Sequence, residues 1–306
     1  FFETTKSMNV PKPRDLRSKI KKLNKLTSKF NCEIGLIKTK YTNSDSIFVN
    51  GGRSNGILLM NEIKNLKDYM AVRQTPIIQG KRTSSHLSAY NKYGCISIRE
   101  LFNKISSLFG REHELIRQLI WRDFYYNLVY YFPNSFINSN SYLNKFPWNN
   151  NPEIFKQWCE GKTGFPFVDA SMRQLNQEGY MSNRGRLCCS SFLIKNLHID
   201  WRKGEKYFAN KLVDYDPSQN NGNWQWVSST GYESQAYYRF INPDKDLIKF
   251  DINCLYVKKY IPELIDIDCK NIHRGVYPQS GYPNKIVDIS ATLSDYKQKA
   301  KMLKPI

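Results

Sequence analysis

The fold is decided by residues 165–197, which read FPFVDASMRQLNQEGYMSNRGRLCCSSFLIKNL. Pro166 suits the first turn of a helix, where its missing N–H has no partner to lose, and Gly179 is typical of a residue just past a helix end. A second helical segment starts at Asn183 and continues through NRGRLCCSSFLIKNL. The stretch therefore predicts two consecutive helices.

The segments on either side follow the same helical period. Apolar residues recur three and four positions apart in NGILLMNEIKNLKDYM (55–70), SIRELFNKISSLF (97–109), HELIRQLIWRDFYYNLVYYF (113–132) and KGEKYFANKLVD (203–214). Strand-like alternation is scarce. We therefore predict an all-α protein with one large helical domain over 48–306.

Residues 1–47 differ from this domain. A run of Lys and Arg residues between Arg14 and Lys29 follows Pro11 and Pro13. Apolar residues at helical spacing allow a short amphipathic helix here, but we favour a solvated basic linker that wraps onto the main body.

The net charge of the 306-residue chain is +19, from 46 Lys and Arg against 27 Asp and Glu. Such an excess favours a polyanionic partner, usually nucleic acid, over an anionic membrane surface; a merely soluble basic protein is the alternative. The sequence contains no apolar run of about 18 residues, so no membrane span is predicted. The start, FFETTKSMNV, lacks both a signal-peptide pattern and an initiator Met. We expect an intracellular protein, and a chain that is a processed product or a fragment.

The seven cysteines favour reduced thiols over a disulfide framework, because their number is odd and no C-x-x-C spacing occurs. The histidines lie far apart, at positions 86, 113, 198 and 273. No spacing typical of zinc or iron–sulfur ligands is present, so we expect no metal.

Two segments carry polar groups suited to a ligand. KRTSSHLS, residues 81–88, places three consecutive hydroxyl residues, Thr83, Ser84 and Ser85, before a helical segment, where they suit phosphate binding or simple helix capping. In QLIWRDFY, residues 118–125, one helix face combines Gln118, Trp121, Arg122 and Tyr125. That face suits either a pocket for a flat polar ligand or an ordinary interior with one paired arginine.

Two further segments leave similar alternatives open. MSNRGRL, residues 181–187, offers Arg184 and Arg186 either as phosphate readers or as plain surface arginines. DYDPSQNNGNWQW, residues 214–226, combines carboxylates, amides and indoles. It suits acid–base chemistry, a wall around an aromatic ligand, or an Asx- and Pro-rich loop.

Taken together, these segments resemble the photolyase/cryptochrome family. The most specific strings are WCEGKTGFPFVDASMRQLNQEGYMSNRGR and the stretch from NLHIDWRKGE through NNGNWQW. IWRDFYYNLVYYFP and GGRSNGILLMNEIKNLKDY are also similar to the family, and so is the linker. The resemblance covers roughly 48–265, the helical flavin-binding domain. It is nearest to class I cyclobutane pyrimidine dimer photolyases, with some strings typical of the DASH branch. The family's antenna domain is not in this chain, so we expect no antenna chromophore on it.

The resemblance implies FAD as the cofactor, active in its reduced form. Residues at matching positions are Tyr69, Ser84, Ser85, Leu87, Ser88, Gln118, Arg122, Asn183, Arg186, Asp214, Asp216 and Asn220. The serines match positions that face the FAD phosphates. Asn220 matches the residue that faces flavin N5, where plant cryptochromes typically carry Asp, and an amide there favours repair over signalling.

The resemblance also implies an electron path to photoexcited oxidised flavin. Trp224, Trp201 and Trp158 match the family's tryptophan chain. Out of context, each would be interpreted as an ordinary core aromatic.

For DNA, the resemblance implies Trp121 and Trp226 on either side of a flipped dimer, since indoles stack on bases. Residues near the lesion or the DNA backbone are Arg73, Asn183, Arg184, Leu187 and Arg239. Gln118 stands where common bacterial enzymes carry Glu, so we expect slower repair. Leu187 and Tyr180 replace Met and Trp, and the histidine pair of (6-4) photolyases is missing.

These matches imply a carbon–carbon lyase that repairs cyclobutane pyrimidine dimers in UV-damaged DNA by light-driven electron transfer from reduced FAD. The alternatives are a cryptochrome-like photoreceptor, a DASH-type photolyase for single-stranded DNA, and a remnant that only binds DNA. We expect a monomer, with an antenna domain, if any, on a separate chain.

Overall fold

The computed structural model describes residues 9–12, 48–136, 141–231 and 236–304. Within these ranges the chain is helical, and its only β contact is an isolated bridge between Ile78 and Lys81. The α-helices are α1 (Arg53–Asn61), α2 (Tyr69–Val72), α3 (Ser88–Lys92), α4 (Ile98–Phe109), α5 (Glu114–Tyr131), α6 (Pro152–Glu160), α7 (Pro166–Glu178), α8 (Asn183–Lys195), α9 (Trp201–Lys211), α10 (Pro217–Ser228), α11 (Pro243–Phe250), α12 (Leu255–Tyr260), α13 (Cys269–Arg274) and α14 (Ile289–Met302). The all-α prediction is confirmed. The basic run 14–29 and its amphipathic-helix alternative lie outside the described residues, and the domain boundary at 47/48 stays a prediction.

The two helices predicted from 165–197 form as expected. Pro166 is the first residue of α7, and Gly179 ends it with a positive φ of 63°. Ser182 caps α8 by accepting a hydrogen bond from the Gly185 amide. Helix α7 is buried along most of its length, against α6, α8, α11 and α12. It is therefore the central element of the larger half of the molecule.

The helix predicted over 55–70 is broken. α1 ends at Asn61, a 3₁₀ helix occupies Glu62–Leu66, and α2 begins at Tyr69. Met60, Ile63, Leu66 and Tyr69 recur every three residues and are all buried. Three residues per turn is the period of a 3₁₀ helix, so the 3₁₀ segment keeps Ile63 and Leu66 on one buried face.

The buried apolar residues form two core clusters. The smaller is built from the α1–α5 region and includes Leu87 and Leu119. The larger is built from the later helices and includes Trp158, Met181 and Tyr260. Both clusters contribute residues to the walls of a cavity of about 520 Å³, which therefore lies where the two clusters meet.

Cys254 and Cys269 form a disulfide, with Cα atoms 5.8 Å apart. The expectation of reduced thiols throughout is therefore wrong for this pair. The starts of α12 and α13 bring the two cysteines together across 15 positions of sequence, which short-spacing patterns cannot reveal. Cys95, Cys159, Cys188 and Cys189 are free. No helix among the described residues is long and apolar enough to cross a bilayer.

Candidate functional site

Three adjoining cavities share Arg186 and Asp214 as lining residues. Their volumes are about 520, 250 and 100 Å³. Arg186 Nη2 lies 2.9 Å from Asp214 Oδ2, and Arg186 Nε donates to the carbonyl oxygen of Met181. This ion pair stands at the junction of the cavities. Every residue for which the sequence predicted a cofactor contact lines at least one of the three.

One wall of the largest of these three cavities carries the hydroxyls of the 81–88 segment. Ser84, Ser85 and Ser88 line it together with Tyr69. Arg82 holds this segment in shape, because its Nε donates to Ser84 O at 2.8 Å and its Nη2 to Ser85 O at 2.6 Å. Arg82 was not among the residues predicted from the sequence. The wall offers hydroxyl and cationic donors, which suit phosphate oxygens.

A second part of this cavity is aromatic. The Phe48 and Tyr180 rings are stacked with centroids 4.1 Å apart, and His86 meets Tyr180 edge-on. Burial, with Arg82 nearby, lowers the pKa of His86 to about 4, so its imidazole is neutral at pH 7. Burial raises the pKa of Tyr180 to about 12. These uncharged rings suit contact with a flat aromatic ligand.

The second cavity is organised around Asp216. This residue caps α10 by accepting from the Ser218 and Gln219 amides, so the alternative of an Asx- and Pro-rich loop after Asp216 is wrong. Its other oxygen accepts from Tyr126 Oη and from Lys92 Nζ, the latter at 3.0 Å. Burial alone would raise the pKa of Asp216, but these hydrogen bonds outweigh it and lower the pKa.

Arg122 lines the same cavity as Asp216. Its guanidinium lies 4.5 Å above the Tyr126 ring and 3.0 Å from Asp123 Oδ1. Tyr126 and Lys92 were missed by sequence analysis, because neither lies near Asp216 along the chain.

The smallest cavity contains the side chains of Asn220, Leu187 and Trp224. Asn220 Nδ2 donates to Glu205 Oε1 at 3.1 Å and to the Glu205 carbonyl at 3.3 Å. The amide nitrogen is therefore turned toward Glu205, which leaves the amide oxygen directed elsewhere. Glu205 was not anticipated from the sequence.

The predicted tryptophans are all buried, with Trp158, Trp201 and Trp224 exposed by 0, 2 and 3%. The Trp158 and Trp224 rings lie edge to face with centroids 6.4 Å apart. Trp201 begins α9, with the Arg202 guanidinium over its ring. The half-buried Tyr207, which sequence analysis missed, meets Trp158 at 5.8 Å. All three indoles are thus almost completely shielded from solvent.

Gln118 belongs to a polar triangle at the edge of the 520 Å³ cavity. Its Oε1 accepts from Arg73 Nη2 at 3.1 Å, and its Nε2 donates to Glu114 Oε1 at 2.8 Å. Arg73 and Glu114 are themselves ion-paired. Arg73, predicted to lie near DNA, thus has its charge balanced within the protein.

The other residues predicted for DNA lie in different environments. Arg184 binds Asp246 through two hydrogen bonds and stacks on Phe250, beside a groove of about 610 Å³. Arg239 and Asn183 are exposed, whereas Trp121 and Trp226 are half-buried on α5 and α10. These two helices touch at Gly222, where an added Cβ would lie 2.3 Å from Tyr125 Cδ1.

Comparison with known proteins defines the class. The family described as the FAD binding domain of DNA photolyase matches residues 115–302, and the chain belongs to this family. The hydroxyl wall of 81–88 precedes the matched range.

The particular relatives bear the name deoxyribodipyrimidine photo-lyase. The protein of that name from Vibrio cholerae is 41% identical over 74% of this chain and 50% of its own length, and the one from Escherichia coli K12 is 39% identical over 67% and 45%. This chain thus spans about half the length of these relatives.

Solved structures agree with this family. A class III photolyase from Agrobacterium tumefaciens has a TM-score of 0.77 at 34% identity, covering 84% of this chain and 57% of that one. A photolyase from Sulfolobus tokodaii, solved with two FAD molecules, has a TM-score of 0.78 at 37% identity, covering 88% and 60%. A Synechocystis cryptochrome has a TM-score of 0.77 at 30% identity, covering 85% and 59%.

Proposed function

We propose that this chain binds FAD in the joined cavities and uses light to split cyclobutane pyrimidine dimers in DNA. The observation that carries the proposal is the convergence of all the predicted cofactor residues on the cavities around Arg186 and Asp214. The residues present fit this cofactor, because hydroxyl and cationic donors line one wall and uncharged aromatic rings another. Reduced FAD, when bound and excited, supplies the electron that opens the cyclobutane ring and then returns.

The protein's contribution is binding and orientation. Ser84, Ser85 and Ser88 would donate to the phosphate oxygens. The Arg186–Asp214 pair, fixed by Met181 O, would orient polar edges of the ring system. Asn220, held by Glu205, would present its amide oxygen to flavin N5–H without adding negative charge.

Damaged DNA is the substrate that the charge favours. The chain carries +19, and Arg239 stands exposed where phosphates could reach it. Trp121 and Trp226 would stack on the flipped bases, each contributing about 1–3 kcal/mol. Gln118 would hydrogen-bond a base edge, but it has no acidic proton to donate. The protein would act as a monomer wherever DNA is, with any antenna domain on a separate chain.

The buried tryptophans would serve reduction of the cofactor. Trp224 and Trp158 are in ring contact, and Tyr207 extends this path toward the surface. We propose that this route, with Trp201, supplies electrons to oxidised flavin under light.

Repair itself is the test. The purified chain would be loaded with FAD, reduced anaerobically, mixed with dimer-containing oligo(dT) and illuminated, and the return of thymine absorbance followed against a dark control. Light-dependent recovery would support the proposal. Ser84→Ala/Ser85→Ala should weaken FAD binding, whereas Ser107→Ala on the exposed face of α4 should not.

Other outcomes separate the alternatives. Bound flavin without repair of single- or double-stranded substrate would replace the repair proposal with a photoreceptor. Repair of single-stranded DNA alone would assign the chain a DASH-type preference. Neither flavin binding nor repair would leave a protein that only binds DNA.

A further inference from the structure

A cluster of soft ligand atoms lies outside the cavity system. Cys254 Sγ is 3.5 Å from His273 Nε2, and Cys269 Sγ is 3.7 Å from the same nitrogen. All three ligand atoms lie within 4.8 Å of one another. In the structure the two sulfurs are joined as a disulfide. The imidazole therefore faces a disulfide, which a two-electron reduction would convert into two thiols.

The backbone holds these side chains together independently of the disulfide. The Asp251 carboxylate accepts from the Tyr256 and Val257 amides at 3.0 and 2.9 Å, which fixes the start of α12 beside Cys254. Asp268 caps α13. Cys269 and His273 are four positions apart on α13, so they share one face. Reduction would thus leave three ligand side chains already assembled, with His273 Nε2 exchanging its 3.3 Å contact to the Asp251 carbonyl oxygen for the metal.

The chemistry of the set matches Zn²⁺. Thiolate and neutral imidazole are the ligands that Zn²⁺ prefers, and combinations of Cys and His give tetrahedral sites. The Asp251 carboxylate is engaged with amides, so it is not the fourth ligand. Cys254 is buried, but Cys269 and His273 are half-buried, which leaves a side open to water as that ligand.

We propose that Cys254, Cys269 and His273 form a redox-gated Zn²⁺ site. A dithiol reductant becomes a disulfide as it gives two electrons and two protons to the S–S bond, leaving two cysteine thiols. Zn²⁺ then binds as the thiol protons pass to solvent. Oxidation of the two thiolates by a disulfide oxidant reforms the S–S bond, releases that reagent as two thiolates, which take up protons from solvent, and expels the metal. This site does not depend on the proposed function.

Cobalt is the probe, since thiolate-bound Co²⁺ absorbs by charge transfer. The full chain would be reduced with dithiothreitol, desalted anaerobically and titrated with Co²⁺ and then Zn²⁺. We expect thiolate–Co²⁺ bands that Zn²⁺ abolishes, and no bands for the oxidised protein. Cys254→Ser and Cys269→Ser should lose the bands, and His273→Asn should weaken binding about tenfold or more, or about 1.4 kcal/mol. Cys95→Ser, a half-buried cysteine elsewhere, should behave as the unmodified chain.

A second measurement uses the unmodified chain, so it tests the site even if the variants fail to fold. Zn²⁺ should protect Cys254 and Cys269 of the reduced chain from an alkylating reagent, while Cys95 is modified at the same rate with and without metal, as read by mass spectrometry. The proposal would be overturned by Co²⁺ bands that persist in Cys269→Ser, or by a reduced chain that neither binds Co²⁺ nor gains protection. In that case the pair is a structural disulfide only.

Discussion

Gln118 Nε2 donates to Glu114 Oε1 at 2.8 Å, from one turn further along α5. The amide oxygen of Gln118 meanwhile accepts from Arg73. These two contacts set which way the amide points, because a flipped amide would place its N–H groups against a guanidinium and its oxygen against a carboxylate. Glu114 is thus a positioning residue for Gln118 and the counter-charge of Arg73.

Glu114→Gln should destabilise the protein by about 1–3 kcal/mol, because it leaves the half-buried Arg73 without its charged partner. Urea unfolding measures this. Glu153→Gln is the matched control, since Glu153 lies in the first turn of α6 as Glu114 does in α5. Equal losses would attribute the effect to the helix dipole instead of the Arg73–Gln118 cluster.

Gln118→Glu should raise the rate of dimer repair, because it supplies a carboxyl group beside the proposed lesion pocket. The Glu114 carboxylate would raise the pKa of the introduced group and the Arg73 guanidinium would lower it, and in either case the gain should fade as pH rises through that pKa. Initial repair rates across pH measure it. Gln157→Glu, on the exposed side of α6, should change neither rate nor pH profile. A pH-independent gain would contradict the proton-donor explanation.

Arg239→Ala and Arg184→Ala should differ in their effect on the stability of the fold. Arg239 is exposed, so its loss should weaken DNA binding and lower the salt slope by about 1, with little change in stability. Arg184→Ala should also destabilise the fold by about 3–5 kcal/mol, because it leaves the buried Asp246 carboxylate without its charged partner. Salt-dependent DNA titration and urea unfolding check the pair. Equal stability of both variants would show that the Asp246 contact contributes little.

Features set by neighbouring residues, such as helix ends, were predictable from the sequence, whereas contacts between residues distant along the chain were not. Pro166 and Gly179 mark α7 correctly because helix ends depend on neighbouring residues. Asp216 was found by its motif, but its partners Tyr126 and Lys92 lie 90 and 124 positions away, so only the fold shows its lowered pKa. The Cys254–Cys269 pairing was missed for the same reason.

Lys195 sits fully buried on α8 with its Nζ donating to the Arg239 carbonyl. Burial, reinforced by Arg239, lowers its pKa to about 7 from 10.5. Between these values the unfolded chain binds more protons at this lysine, so its contribution to the free energy of unfolding rises with pH from about 7 to about 10.5, by up to about 1.4 kcal/mol per pH unit.

Lys195→Met should remove that slope, since methionine retains the apolar chain without the titrating amine. Urea unfolding of both proteins from pH 6 to 10 gives the difference directly, and tyrosine titrations common to both cancel in it. The exposed Lys206→Met on α9 is the control and should leave the slope unchanged. If the two free-energy curves run parallel, Lys195 stays charged when buried, held by the Arg239 carbonyl and the Tyr296 ring.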